Sequence, residues 1–258
     1  GEALSIRQMV TAMQVRHATD PAPVFVTGLS AGGAMAAVML ATYPDVFAGG
    51  AVIAGLPFGT ARTVPEAFDR MRGHGAMSGE ALAALVKSAS THSGPWPALS
   101  VWHGTSDMTV DSSNATALVD QWRALHGVAN AMPQTGRVAG YPHRVWRDSK
   151  GRPVIEEYVI TGAGHGTPLS TLGDDQAETA GPYMLEAGIS STQHSLRFWN
   201  IAAVKSAAVL DETGMHAGEE PKFGQAAHEP ARRRSRLPAN AGIQKTIEDA
   251  LKAAGLVR

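Results

Sequence analysis

The chain contains no cysteine. That excludes a disulfide scaffold, thiolate zinc ligation and a cysteine nucleophile together. It leaves the redox compartment open, because secreted proteins without disulfides exist. Neither charge is in excess: 22 basic residues face 23 acidic ones, a formal net charge of −1. Without a molecule-wide field, no nucleic-acid partner and no anionic membrane partner is expected. No apolar run approaches the roughly 18 residues of a membrane span. The opening Gly1-Glu2-Ala3-Leu4 reads as neither an initiator methionine nor a signal peptide. Internal repeats are also lacking.

What is present is enough apolar material for a core. Hydrophobic residues make up 44% of the 258 and charged residues 17%, which excludes wholesale disorder. A chain of this length buries roughly 70–75% of its unfolded surface, as one large domain or two small ones.

Patterning along the chain alternates strand and helix. Ser5 to His17 predicts a helix with Ile6, Met9, Val10, Met13 and Val15 as an apolar stripe. Val24-Phe25-Val26 predicts a buried strand, and Ala31 to Tyr43 a helix stopped by Pro44. A strand over 50–54, a helix over 79–90, a strand over 98–102 and a helix over 113–126 follow, with a mixed stretch over 56–74. Arg144–Arg147 and Val154–Ile160 flank Asp148-Ser149-Lys150-Gly151-Arg152-Pro153, a hairpin signal. Ser191 to Val204 predicts another helix. This order argues a largely parallel sheet with helices on both faces. Composition shifts after about Asp211: residues 216–240 carry few apolar side chains and the run Arg232-Arg233-Arg234-Ser235-Arg236. A catalytic domain over 1–210 and a tail over 211–258, closed by a helix over 240–256, are the expected organisation. The arginine run is read as a solvated tail rather than a phosphate site.

Gly28-Leu29-Ser30-Ala31-Gly32 fits G-x-S-x-G, a weak pattern alone in a chain with 28 glycines. Its placement sharpens it, directly after a predicted strand and directly before a predicted helix. A turn this tight forces strained angles on Ser30, and glycines at Gly28 and Gly32 leave room for the crossing backbones. Ser30 Oγ then stands at the carboxyl edge of the sheet, at the positive end of a helix. The Ala31 N–H is placed as an oxyanion donor.

A serine needs a base, usually a histidine oriented by a carboxylate. After a G-x-S-x-G elbow the order is serine, acid, histidine. His103-Gly104-Thr105-Ser106-Asp107 follows the strand over 98–102 and offers Asp107, with Asp111 as the rival acid. Gly162-Ala163-Gly164-His165-Gly166 follows the strand over 154–160 and offers His165 on a glycine-flanked loop. His103 is expected to support the Asp107 loop. No histidine pair has zincin spacing, so no metal is expected. Gly162-Ala163-Gly164 begins a partial G-x-G-x-x-G, but its third glycine is misplaced and no helix follows, so no dinucleotide cofactor is expected.

Together these three motifs resemble the α/β-hydrolase fold, and more closely the polyhydroxybutyrate depolymerase-like esterase family. The carrying residues are Val26-Thr27-Gly28-Leu29-Ser30-Ala31-Gly32-Gly33-Ala34-Met35, Trp102-His103-Gly104-Thr105-Ser106-Asp107, and Gly151-Arg152-Pro153 before Gly162-Ala163-Gly164-His165. The resemblance spans about 3–201. It implies a serine esterase with Ser30 as nucleophile, His165 as general base and Asp107 as orienting acid, and no cofactor. Its substrates would be short-chain esters, hydroxyalkanoate polyesters or oligomers, or acetyl and feruloyl groups on plant polysaccharides. Two departures stand out. Many relatives carry an aromatic residue just after the histidine, where this chain has Gly166-Thr167-Pro168-Leu169. And only 29 residues precede Ser30, so the N-terminal strands and the loop giving a second oxyanion N–H are expected to be absent, leaving the strand at Val24–Val26 open on one side.

The leading expectation is a carboxylic ester hydrolase working through an acyl-enzyme. A second is a fragment or inactive homologue that binds polyester or polysaccharide. A third keeps the nucleophile in an acyltransferase or serine peptidase. Leu56, Pro57, Phe58, Trp96 and Trp102 are expected near the active edge.

Overall fold

The computed structural model describes residues 1–17, 23–172 and 177–201. The predicted tail over 211–258, its closing helix and the boundary at 210 lie outside the described residues.

Helix α1 (Glu2–His17) leads to β1 (Val24–Leu29), α2 (Ala31–Thr42) and β2 (Phe47–Ile53). Then come α3 (Val64–Met71), α4 (Gly79–Ala89), β3 (Ala98–Gly104) and α5 (Ser113–Leu125). Strands β4 (Gln134–Val138), β5 (Tyr141–Arg147) and β6 (Pro153–Ile160) follow, then β7 (Thr167–Leu169), β8 (Met184–Glu186) and α6 (Ser191–Phe198). Six strands form one sheet in the order β1-β2-β3-β6-β5-β4, and β7 pairs with β8 in parallel. From β1 to β6 every pairing is parallel, so the carboxyl ends of four strands share one edge. Strands β5 and β4 continue antiparallel. Among the described residues β1 has a neighbour on one side alone.

The alternation of the pleat divides the core between two faces. Val52, Leu99, Val101 and Ile155 pack under α2, α4 and α5 with Leu40, Val86, Leu118 and Trp122. Ile53, Trp102, Tyr158 and Ile160 face the other way, toward Ile189. There the Trp102 and Tyr158 rings stack at 3.8 Å. Helix α6 covers this second face through polar contacts: Ser195 reaches Ser100, whose hydroxyl donates to Glu156 and accepts from Trp102 Nε1 at 2.8 Å. Helix α2 is apolar nearly all round because it is covered nearly all round; Gly33 to Ala37 and Met39 to Ala41 are buried.

Some elements differ from the sequence reading. Helix α1 starts at Glu2 and buries no residue fully. Ala3, Ile6 and Val10 pack against the core, while Met9, Met13 and Val15 are exposed. Helix α3 sits in the stretch read as mixed, started by Thr63 accepting from the Glu66 amide. Strand β4 is almost wholly exposed, so no apolar alternation marks it. Its hairpin to β5 turns on Ala139 and Gly140, both at positive φ (49° and 83°), as a two-residue hairpin turn demands. Helix α6 ends at Phe198 rather than running to Val204, because Asn200 takes φ 57° and returns the Asn200 and Ile201 amides to Arg197 and Leu196.

Candidate active site

Strand β1 delivers Ser30 into α2 through a one-residue turn. Ser30 has φ 59° and ψ −119°. A non-glycine residue there costs on the order of 1–3 kcal/mol and persists only where its surroundings over-determine it. They do: the Ser30 amide donates to Ile53 O at 2.9 Å, and Ser30 O accepts from Ala34 as the first bond of α2. A Cβ on Gly28 would lie 2.1 Å from Gly32 O, so glycine is obligatory at that position. Gly32 differs from expectation. A Cβ there meets nothing within 4 Å, and the tight approach falls instead on Gly33, 3.0 Å from Gly28 O and Ile53 O. The first-turn amides of a helix lack intrahelical partners. The Ser30 side chain caps none of them, so the Ala31 N–H is free to meet an oxygen held above Ser30.

The next loops are tied to this one in sequence across the sheet edge. Ala54 N donates to Trp102 O, Thr105 N to Ile160 O, and Ser106 N to Ala163 O. Gly162 N donates to Thr105 Oγ1 at 2.9 Å. Gly104 is required here as well, since a Cβ would lie 2.3 Å from Ala163 O. These bonds set the loops after β3 and β6 side by side.

The structure brings Asp107 and His165 together. His165 Nδ1 lies 2.8 Å from Asp107 Oδ2, with side chains 9% and 0% exposed. Asp107 Oδ1 accepts from the Thr109 and Val110 amides at 2.8 and 2.9 Å, which orients the carboxylate. Burial works against ionisation of Asp107, but the hydrogen bonds from His165, Val110 and Thr109 outweigh it and hold the carboxyl below its ordinary value. With an ionised acceptor at Nδ1, the imidazole carries its proton there and leaves Nε2 as the basic nitrogen. Ser30 Oγ makes no hydrogen bond to His165 among the described residues; such contacts often tighten only when substrate is bound.

His103 sits beneath this pair. Its Nε2 is 2.8 Å from Val110 O and 3.6 Å from Asp107 Oδ2. Desolvation by burial, only partly offset by the Val110 carbonyl and Asp107, lowers its pKa and favours the neutral ring. It braces the Asp107 loop. Asp111 is instead exposed and accepts from the Ser113 amide at the start of α5. Its carboxyl is held low by those Ser113 hydrogen bonds, with no contact to His165.

The expected pocket residues divide. Leu56 is buried beside Ala34, Met71 and Val110 just after β2, and Phe58 is held through its backbone by Gln121. Trp102 is fully buried in the core. Trp96 is misplaced by the sequence reading: it precedes β3 and lines a groove of about 820 Å³ at the amino edge of the sheet, with Lys87, His126 and Lys150. Its short distance in sequence from Asp107 spans the full length of the strand. A residue the motifs did not mark lies beside His165. The Tyr183 ring meets the imidazole edge-on, with centroids 6.3 Å apart and planes at 81°. Among the described residues no group of three or more histidine, cysteine, aspartate or glutamate side chains is arranged to hold a metal. No described helix is long and apolar enough to cross a membrane.

The chain is similar to known proteins. A family model described as Esterase PHB depolymerase matches residues 1–145, which include Ser30 and Asp107. The chain belongs to this family. It is 43% identical over 203 residues to poly(3-hydroxyalkanoate) depolymerase C of Paucimonas lemoignei, covering 78% of this chain and 49% of that protein. It is 34% identical over 170 residues to an acetylxylan esterase of Coprinopsis cinerea, covering 58% of this chain and 41% of that one. The chain thus spans about half the length of the curated relatives it matches. An acetyl xylan esterase from Aspergillus awamori superposes with a TM-score of 0.64 at 24% identity, covering 78% of this chain and 68% of that one. The mostly parallel sheet flanked by helices is the α/β-hydrolase fold.

Proposed function

We propose that the protein is a serine carboxylic ester hydrolase acting through an acyl-enzyme on short-chain esters or on hydroxyalkanoate polyesters and oligomers. The observation that carries this reading is the Asp107–His165 hydrogen bond at the sheet edge where Ser30 stands in a strained turn. Family membership and the depolymerase and esterase names of the relatives support the ester as the bond cleaved.

In this mechanism Ser30 Oγ attacks the ester carbonyl carbon while His165 Nε2 takes its proton. Asp107 holds the resulting imidazolium and fixes its tautomer. Negative charge develops on the former carbonyl oxygen, which the Ala31 N–H and the positive end of α2 stabilise. Collapse breaks the carbon–oxygen bond to the alcohol, and His165 returns the proton to the departing alkoxide. Water, deprotonated by His165, then attacks the acyl-serine, and collapse releases the acid as His165 returns the proton to Ser30 Oγ.

A second reading is a homologue that binds polyester or polysaccharide without efficient turnover. One experiment separates the two. Ser30→Ala is expected to lower hydrolysis of p-nitrophenyl acetate and butyrate by at least about a thousandfold. A fluorophosphonate is expected to label wild-type Ser30 stoichiometrically. Equal rates for variant and wild type would remove Ser30 from the mechanism, and wild type that neither turns over nor labels would favour the binding homologue.

A further inference from the structure

We propose that Tyr183 is the specificity-determining residue for the alcohol portion of the ester, offering its ring to flat or bulky apolar leaving groups. The inference rests on the proposed roles of Ser30 and His165.

Tyr183 is held in a tight turn. Gly181-Pro182-Tyr183-Met184 closes on itself: Met184 N donates to Gly181 O at 3.0 Å. Proline in the second position and positive φ in the third are the marks of a type II turn, whose third position favours glycine or asparagine. Here that position is a tyrosine at φ 61°. An aromatic residue is therefore carried where local preference disfavours it. Such strain collects at binding and active sites.

The turn is also docked against the candidate base. Thr167 N donates to Tyr183 O at 2.7 Å, and β7 and β8 continue the pairing from Thr167 and Met184. Gly166 makes room for this: a Cβ there would lie 2.7 Å from Leu185 Cγ and 2.8 Å from Tyr183 O. The ring is consequently held edge-on to His165 while 44% of the residue stays exposed. The core does not use this ring; a surface beside the imidazole does.

Mechanism then selects which half of the ester meets it. His165 must deliver its proton to the departing alkoxide, so the alcohol oxygen lies within hydrogen-bond reach of Nε2. Groups flanking the imidazole line the alcohol side, while the acyl carbonyl sits between Ser30 and the Ala31 N–H. A ring–ring or ring–aliphatic contact of this kind changes the rate by up to about tenfold. Because the alcohol has left before deacylation, the contact acts on kcat/KM and not on the deacylation rate.

The test is a set of acetate esters that differ only in the alcohol, ethyl acetate against 2-naphthyl acetate, with wild type, Tyr183→Phe, Tyr183→Ala and Tyr183→Gly. Tyr183→Ala and Tyr183→Gly are expected to lower kcat/KM for 2-naphthyl acetate about tenfold and to leave ethyl acetate within about twofold. Tyr183→Phe keeps wild-type selectivity. Tyr183→Gly is also expected to hold or raise Tm, since glycine suits the turn. Fluorophosphonate labelling of Ser30 stays at the wild-type rate in every variant. A proportional loss on both esters, a fall in Tm with Tyr183→Gly, or a change that tracks acyl length instead of the alcohol would overturn the proposal. Loss of the underlying esterase reading shows separately, as wild type that neither labels nor turns over.

Discussion

At the scale of the residue, Asp107 and Asp111 show how identical side chains four positions apart acquire different jobs. The Asp107 side chain is fully buried, takes two backbone amides on one oxygen and offers the other to His165. Asp111 sits in the open and serves the start of a helix. Asp107→Asn is expected to lower kcat on p-nitrophenyl butyrate by about 10³- to 10⁴-fold, because an amide no longer holds the productive tautomer. Asp111→Asn is expected to stay within about threefold of wild type, since it touches neither Ser30 nor His165. A reversed order would transfer the acid role to Asp111. The same carboxyl sets a pH dependence. Its folded pKa is held below the ordinary carboxylate value, so the unfolded state binds the proton more tightly. Its stabilisation is complete above the unfolded value and is lost as pH falls through the folded one. Thermal unfolding of wild type and Asp107→Asn is therefore expected to converge as pH is lowered from neutral through that range. A gap that stays constant would detach the effect from Asp107 ionisation.

At the scale of the element, the strand–turn–helix unit around Ser30 depends on backbone proximity. The G-x-S-x-G pattern announces the turn, but the spacing of its glycines does not reveal which of them is crowded. A Cβ on Gly28 would lie 2.1 Å from Gly32 O and one on Gly33 would lie 3.0 Å from Ile53 O of β2, whereas one on Gly32 would meet open space. Gly28→Ala is expected to destabilise the fold by more than about 3 kcal/mol, as a clash that only backbone movement relieves. Gly32→Ala lies within α2 and is expected to be neutral or to stabilise by up to about 1 kcal/mol. Urea unfolding of both variants checks the contrast, and equal losses would refute it. Strands β2 and β3 are legible because burial on both faces leaves a continuous apolar run as its signature. In contrast β1, predicted as a buried strand from Val24-Phe25-Val26, lies at the end of the sheet among the described residues and buries no residue fully. Strand β4 is not legible, because its exposed Gln134-Thr135-Gly136-Arg137 carries no periodicity and is held by a hairpin turn. The break at Asn200 was hidden for another reason: helical propensity continues past Phe198, and a left-handed asparagine ends it.

At the scale of the whole molecule, stability concentrates between β2, β3 and the helices α2, α4 and α5 that cover them. Helix α1 touches that core through Ala3, Ile6 and Val10 and leaves Met9, Met13 and Val15 in solvent. Regions with so few buried contacts open well below the global unfolding energy. Amide exchange is expected to be at least about a thousandfold faster in α1 than in β2 and β3. Equal protection would show that α1 unfolds only with the sheet.

Some properties of this protein follow from the linear chain. Zero cysteines exclude thiol chemistry, and the nearly balanced charge removes a global steering field. The position of Ser30 between an apolar run and an alanine-rich helix defines the turn, because strand and helix periodicities are local properties. The order Ser30, Asp107, His165 defines candidates. Only the tertiary structure sets Asp107, and not Asp111, against His165, places Trp96 at the opposite edge of the sheet, and sets the Tyr183 ring beside the imidazole. Each of those outcomes depends on strand direction or on loops joined across 18 to 58 positions of sequence, a separation that local patterning does not encode.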